Sequence, residues 1–135
     1  MHTEIHLETP LRDSLTNVTD QVRDAVQKSG VVSGVCYVVV PHTTAGITIN
    51  SYVDPLTADD IIADVRRLIP TRTDFHHIAD TPSDAAGHIK STLIGTSEVV
   101  LIEDGDLVLG HSQGLMFYEF DGPRKRRILV RIIPG

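Results

Sequence analysis

The sequence predicts an α+β fold, a mixed and mostly antiparallel sheet packed with about three helices. Three observations predict it. Roughly the first ninety residues mix alternating with helical apolar spacing, the remainder reads almost wholly as strands, and Glu103-Asp104-Gly105 and Asp121-Gly122-Pro123 are hairpin turn signals.

Taken in order, Ile5 and Leu7 alternate within a first short strand that ends at Pro10. Val18, Val22, Ala25 and Val26 then share one face of a helix from Val18 to Ser29, with Thr16 or Asn17 as N-cap and Gly30 as the stop. Val31 to Val40 is β-branched and unbroken, which predicts a strand buried on both faces, closed by Pro41. Ile47 to Asn50 alternates as the next strand, so His42 falls at a junction between strands. Asp54-Pro55 opens a helix in which Leu56, Ile61, Ile62, Val65, Leu68 and Ile69 recur until Pro70. Thr71 to Asp84 has no period and predicts a long functional loop, after which Asp84 caps a helix from Ala85 to Ile94, stopped by Gly95. Ser97–Ile102 with Asp106–Leu109, and Leu115–Phe120 with Ile128–Ile133, complete two hairpins.

At 135 residues and 14.8 kDa the chain is expected to form a single domain over residues 1–135. That length buries enough surface to fold without a staple, so a bound metal is expected to be functional. Cys36 is the only cysteine, which excludes an intramolecular disulfide and a cysteine-cluster zinc site; in an apolar strand its thiol is inert. A net charge of −6 and 4% aromatic residues argue against a nucleic-acid partner, and no apolar run approaches the ~20 residues that span a bilayer. The expectation is a cytoplasmic protein with no membrane partner.

Seven histidines are the chemical resource of the sequence. His42, His77 and His88 stand at a strand end, in the long loop and on a short helix. Three neutral imidazoles with an open position would make a catalytic divalent site. His76 and His77 point opposite ways in extended chain, so one of them can serve. Asp54 and Asn50 offer oxygens to a cation or substrate, or else Asp54 simply enters a helix. Lys90, Ser91, Gly95, Thr96 and Ser97 surround a helix end where phosphate oxygens could be held, or else Gly95 is only a C-cap. His111 and Gln113, in a segment with glycines at both ends, point at a ligand or lie in a solvated turn. Arg124-Lys125-Arg126-Arg127 reads as a solvated turn, or else as an anion or subunit contact.

Taken together, His42-Thr43-Thr44-Ala45 before Ile47-Thr48-Ile49-Asn50, then Asp54-Pro55, His77, His88-Ile89-Lys90-Ser91 with Leu93, Gly95 and Ser97, and finally Gly110 and Gln113 resemble the YjbQ family, often labelled secondary thiamine-phosphate synthase. The resemblance covers nearly the whole chain. It implies a homotrimer whose sheets pack around a threefold axis, and a divalent ion, zinc by its ligands with magnesium as an alternative during turnover, bound by His42, His77 and His88. The activity it implies joins a pyrimidine pyrophosphate to a thiazole phosphate, a small phosphorylated substrate, with release of pyrophosphate. Lys90, Thr96 and Ser97 would help neutralise the leaving group, with Asp54 and Asn50 orienting water or substrate. The alternatives are a metal-dependent hydrolase of a small phosphate or amide, and a non-catalytic trimeric metal- or ligand-binding module. The sequence departs from the family pattern at Ser51, where Glu is frequent, and at His111-Ser112, where Thr-Trp is frequent.

Overall fold

In chain order the elements are β1 (Thr3–Glu8), β2 (Ser14–Asn17), α1 (Thr19–Ser29), β3 (Gly34–Val39), β4 (Ala45–Ser51), α2 (Pro55–Leu68), α3 (Pro82–Ile94), β5 (Ser97–Glu103), β6 (Asp106–Leu107), β7 (Gln113–Glu119) and β8 (Lys125–Pro134). The computed structural model describes all of residues 1–135. The α+β class and the three helices agree with the sequence expectation. The strands, however, divide into two sheets rather than one, ordered β1-β8-β3-β5-β6 and β2-β7-β4, and every ladder is antiparallel. The Pro41–Thr44 turn carries the chain from β3 in one sheet to β4 in the other. β2 escaped the sequence reading because four residues, Ser-Leu-Thr-Asn, are too few to establish an alternation.

The core forms where the two sheets and α1 meet. Cys36 and Val38 of β3, Val100 and Ile102 of β5, and Ile128 and Val130 of β8 pack with Ile47 of β4, Phe117 of β7 and the Val18, Val22 and Val26 stripe of α1. β3 is buried on this face only: Tyr37 and Val39 on the other are 41% and 38% exposed. The expectation of burial on both faces therefore fails within a single chain, because nothing in it covers the outer side of the five-stranded sheet. α2 behaves likewise. Its apolar stripe formed the expected helix, but none of its residues is buried, and its few contacts are with β2.

α3 sets the position of the site. Thr81 is its N-cap, the hydroxyl accepting from the Asp84 N–H at 3.1 Å, and Pro82 supplies the first turn with its fixed φ. The helix thus starts three residues earlier than the sequence reading placed it. Asp84 lies inside the first turn, one helical turn from His88 on the same face. At the other end, Gly95 takes a left-handed φ of 97°, and a Cβ built at Gly46 would meet the Gly95 carbonyl oxygen at 2.6 Å. Ser91 Oγ donates to the Ala45 carbonyl at 2.9 Å and the Ile47 N–H to that of Gly95 at 3.2 Å. These bonds fix α3 on β4, beside the β3–β4 turn that carries His42.

Candidate metal centre

His77 enters from the loop before α3, and Asp84 and His88 from α3 itself. Asp84 Oδ2 lies 2.8 Å from His77 Nε2 and 3.1 Å from His88 Nε2, and the three potential ligand atoms all fall within 4.8 Å of one another. The two rings meet edge to face, centroids 5.2 Å apart. Burial acts to raise the Asp84 pKa, but the hydrogen bond from His77 and the charge and hydrogen bond of His88 outweigh it and hold the carboxyl below its usual value. Tetrahedral ligands about 2.1 Å from an ion stand roughly 3.4 Å apart, so the two Asp84–histidine separations are already close to those of a cation site, and all three donors lie within 4.8 Å of one another. Two imidazoles and one carboxylate leave a coordination position for a ligand oxygen, which a bound cation would polarise.

Asp84 and His88 line a cleft of about 910 Å³, and only one of its fourteen lining residues is hydrophobic. His42, Thr44 and Thr96 line it from the strand ends, and Arg124 and Arg126 from the start of β8. Arg126 is buried and fixed: it donates to Glu119 Oε1 at 2.7 Å from Nε and to Thr44 Oγ1 at 2.8 Å from Nη2. Arg124 is held by Asp121 at 2.8 Å, an interaction that raises its pKa. The basic run is therefore less free than its composition suggests, since Arg127 also pairs with Glu4 at 2.8 Å.

The expected ligand set changes by one member. His77 and His88 meet, but the third donor of the cluster is Asp84; His42 lines the same cleft outside that group, its Nε2 accepting the Arg127 backbone N–H at 3.1 Å. Of the residues expected to hold phosphate, Ser91, Gly95 and Thr96 line the cleft. Ser97 begins β5, exposed and outside the lining. His111 and Gln113 line a different pocket, of about 400 Å³, and the Gln113 side chain is spent on the turn, Oε1 accepting from the Gly110 N–H at 2.7 Å.

The three residues given catalytic roles do other work. Asp54 is the N-cap of α2, accepting from the Leu56 N–H at 2.9 Å. Asn50 is exposed at the end of β4, accepting from the Ser51 N–H at 2.7 Å. Lys90 leaves the cleft face altogether. Its side chain is 3% exposed and meets the 2%-exposed side chain of Asp13 at 3.3 Å, which Arg66 also binds at 2.7 Å. An ammonium can sit in an aliphatic interior only with such a partner. Replacing Lys90→Met is expected to lower stability by about 3 kcal/mol, seen as a fall in Tm of roughly 10 °C, with cation binding retained. Loss of cation binding in a folded Lys90→Met protein would return Lys90 to the site.

The signal that sequence reasoning missed was Thr81-Pro82, a cap followed by a first-turn proline, which places Asp84 and His88 one turn apart. Cys36 matches its inert reading: burial pushes its thiol up to about 11.

Comparisons with known proteins agree on one family. The family model described as "UPF0047 protein YjbQ-like" matches residues 3–135. A UPF0047 protein of Methanocaldococcus jannaschii is 45% identical over 94% of this chain and 90% of its own, and the UPF0047 protein YugU of Bacillus subtilis is 35% identical over 96% of both. A solved structure from Sulfolobus solfataricus, titled a YbjQ-like protein of unknown function, superposes with a TM-score of 0.94 at 30% identity, covering 100% of this chain and 97% of that one. These descriptions carry no thiamine-phosphate synthase activity, and that of the Sulfolobus protein states that the function is unknown. The synthase expectation is thereby overturned. No helix is long and apolar enough to cross a membrane. With a match across all but the first two residues and relatives of this identity, the chain belongs to the YjbQ-like UPF0047 family.

Proposed function

We propose that this protein binds a divalent cation through His77, Asp84 and His88 and, beside it, a small phosphorylated and otherwise polar molecule. The convergence of His77, Asp84 and His88, the last two on the wall of a hydroxyl- and guanidinium-lined cleft, carries this reading. Two imidazoles favour zinc; magnesium prefers an all-oxygen shell and would bind here weakly. A phosphoryl oxygen can take the open position while hydroxyls of Thr44 and Thr96 lie along the cleft. With one hydrophobic residue and no Phe or Tyr among those lining the cleft, an aromatic ligand, which needs a platform to cover its faces, is disfavoured.

Calorimetric titration of metal-stripped protein tests this. Zinc is expected to bind at one equivalent, and inorganic phosphate to bind the zinc-loaded form more tightly than the stripped form. Equal phosphate binding in both forms, or tighter binding of magnesium than of zinc, would defeat the proposal.

The outer face of the five-stranded sheet supports self-association. Tyr37, Val39, Val99, Leu101 and Ile133 expose apolar surface there, on strands whose β-branched composition suits two-sided burial. A homotrimer is the state this reading takes, and sedimentation equilibrium should return three times the chain mass. A monomer at micromolar concentration would exclude it.

A further inference from the structure

His42 has the residue type of a metal ligand and the hydrogen bonding of something else. It follows β3, where the chain turns toward the second sheet, and β8 continues beyond the end of β3. The ladder between these strands pairs Val39 with Leu129, so the Arg127 N–H two residues earlier on β8 faces past the last carbonyl of β3. His42 Nε2 accepts that N–H at 3.1 Å. A ring nitrogen that accepts carries no proton, so the proton of the neutral ring sits on Nδ1. Nδ1 has no acceptor within the protein, and the ring lines the same cleft as Asp84, His88, Thr44 and Arg126.

Coordination through Nε2 would take that lone pair from the Arg127 N–H. Coordination through Nδ1 would move the ring proton to Nε2, setting two donors against each other. Either route costs the hydrogen bond that continues the sheet.

We propose that His42 is not a cation ligand but a neutral, tautomer-locked Nδ1–H donor to an oxyanion of the molecule bound in the cleft, a phosphoryl oxygen in the reading above, on which this inference rests. The neighbouring charges agree. Burial, followed by the Arg126 guanidinium, lowers the His42 pKa, and the nearby Glu119 carboxylate does not reverse this. The ring is thus neutral at pH 7 in the ligand-free protein, with Nδ1–H as its donor. The cation would meet one side of the phosphate and His42 another, which favours a tetrahedral oxyanion over a planar carboxylate that exposes only two oxygens.

Nitrogen-15 spectra of the histidine rings in the full chain, with phosphate titrations of the His42→Gln variant, test this. Gln keeps an acceptor near the Nε2 position for the Arg127 N–H but offers no donor at Nδ1. The expected results are an Nδ1–H tautomer for His42 in the metal-free protein, zinc-induced shifts of the His77 and His88 nitrogens but not of His42's, and a shift of the His42 Nδ1–H on adding inorganic phosphate. His42→Gln should bind zinc as the wild type does and phosphate at least tenfold more weakly. An Nε2–H tautomer, a zinc-induced shift at His42, or loss of zinc in His42→Gln would make it a ligand and overturn the proposal. Unchanged phosphate affinity in His42→Gln would reduce it to a sheet cap and overturn it too. If the wild type binds phosphate but no zinc, the cation reading alone fails; if it binds no phosphate, the donor role falls with it.

Discussion

Glu119→Ala is expected to destabilise this protein more than any other single substitution near the cleft, by about 3–5 kcal/mol, a fall in Tm on the order of 10–20 °C. Glu119 is fully buried, and its two oxygens collect five donors: Arg126 Nε at 2.7 Å and its Nη2, Thr9 Oγ1 at 2.7 Å, and the backbone N–H groups of Phe120 at 3.1 Å and Asp121 at 3.0 Å. Truncation leaves the Arg126 guanidinium buried without its counter-charge, and the penalty of that unpaired charge exceeds anything the pair contributes as a unit. Replacing both residues with apolar ones is therefore expected to cost less than Glu119→Ala alone. Arg126 would also lose its alignment on Thr44, so the cleft wall should loosen with the core.

The same residue sets an acid limb. Burial acts to raise the Glu119 pKa, but the Arg126, backbone and Thr9 hydrogen bonds outweigh it and leave the carboxyl below its ordinary value. A carboxyl depressed in the folded state contributes stability that is present above the unfolded value, about 4.3, and is lost as pH falls through the lower folded value. Denaturant unfolding followed from pH 7 down to pH 3 should show wild type and Glu119→Gln converging below about pH 4. A constant gap between them across that range would show that the ionised carboxylate is not what matters.

Removing a ligand of the proposed cation site is the second large effect. His77→Ala and His88→Ala should each weaken zinc binding by about 10²–10³-fold, since a site worth on the order of 10–16 kcal/mol over four ligands assigns each several kcal/mol. Both substitutions should leave the fold intact, because both rings are half exposed and the hydrogen bonds they give up are to Asp84 alone. Zinc competition against a chromogenic chelator reads the affinity, and far-ultraviolet circular dichroism reads the fold.

The residues most legible in the sequence were those whose roles are local. α1, α2 and the β5–β6 hairpin follow from periodicity, caps and glycines, which act over a few residues, whereas the expected hairpin at Asp121-Gly122-Pro123 does not form: β7 pairs with β2 and β4, and β8 with β1 and β3, in different sheets. The division into two sheets was not legible, because pairing β2 with β7 depends on contacts a hundred residues apart along the chain. Histidine identity pointed to His77 and His88, and the helix start decided Asp84. Lys90 shows the opposite case: its spacing suggested a phosphate contact, but the partner that determines its role, Asp13, lies far away in sequence. Asp54 was readable both ways, and the local reading, a helix cap, is the one the structure contains. Val31 to Val40 predicted burial on both faces from its composition, but only one face of β3 is covered, because what covers a strand is set by packing that its own residues do not encode.

The claim on which the rest depends is that His77, Asp84 and His88 hold one cation. Crystals grown with zinc and measured on both sides of its absorption edge test it most directly. One strong anomalous peak per chain is expected, about 2.0–2.2 Å from His77 Nε2, Asp84 Oδ2 and His88 Nε2. A map with no peak among these atoms, or with the zinc bound at His42 instead, would contradict it.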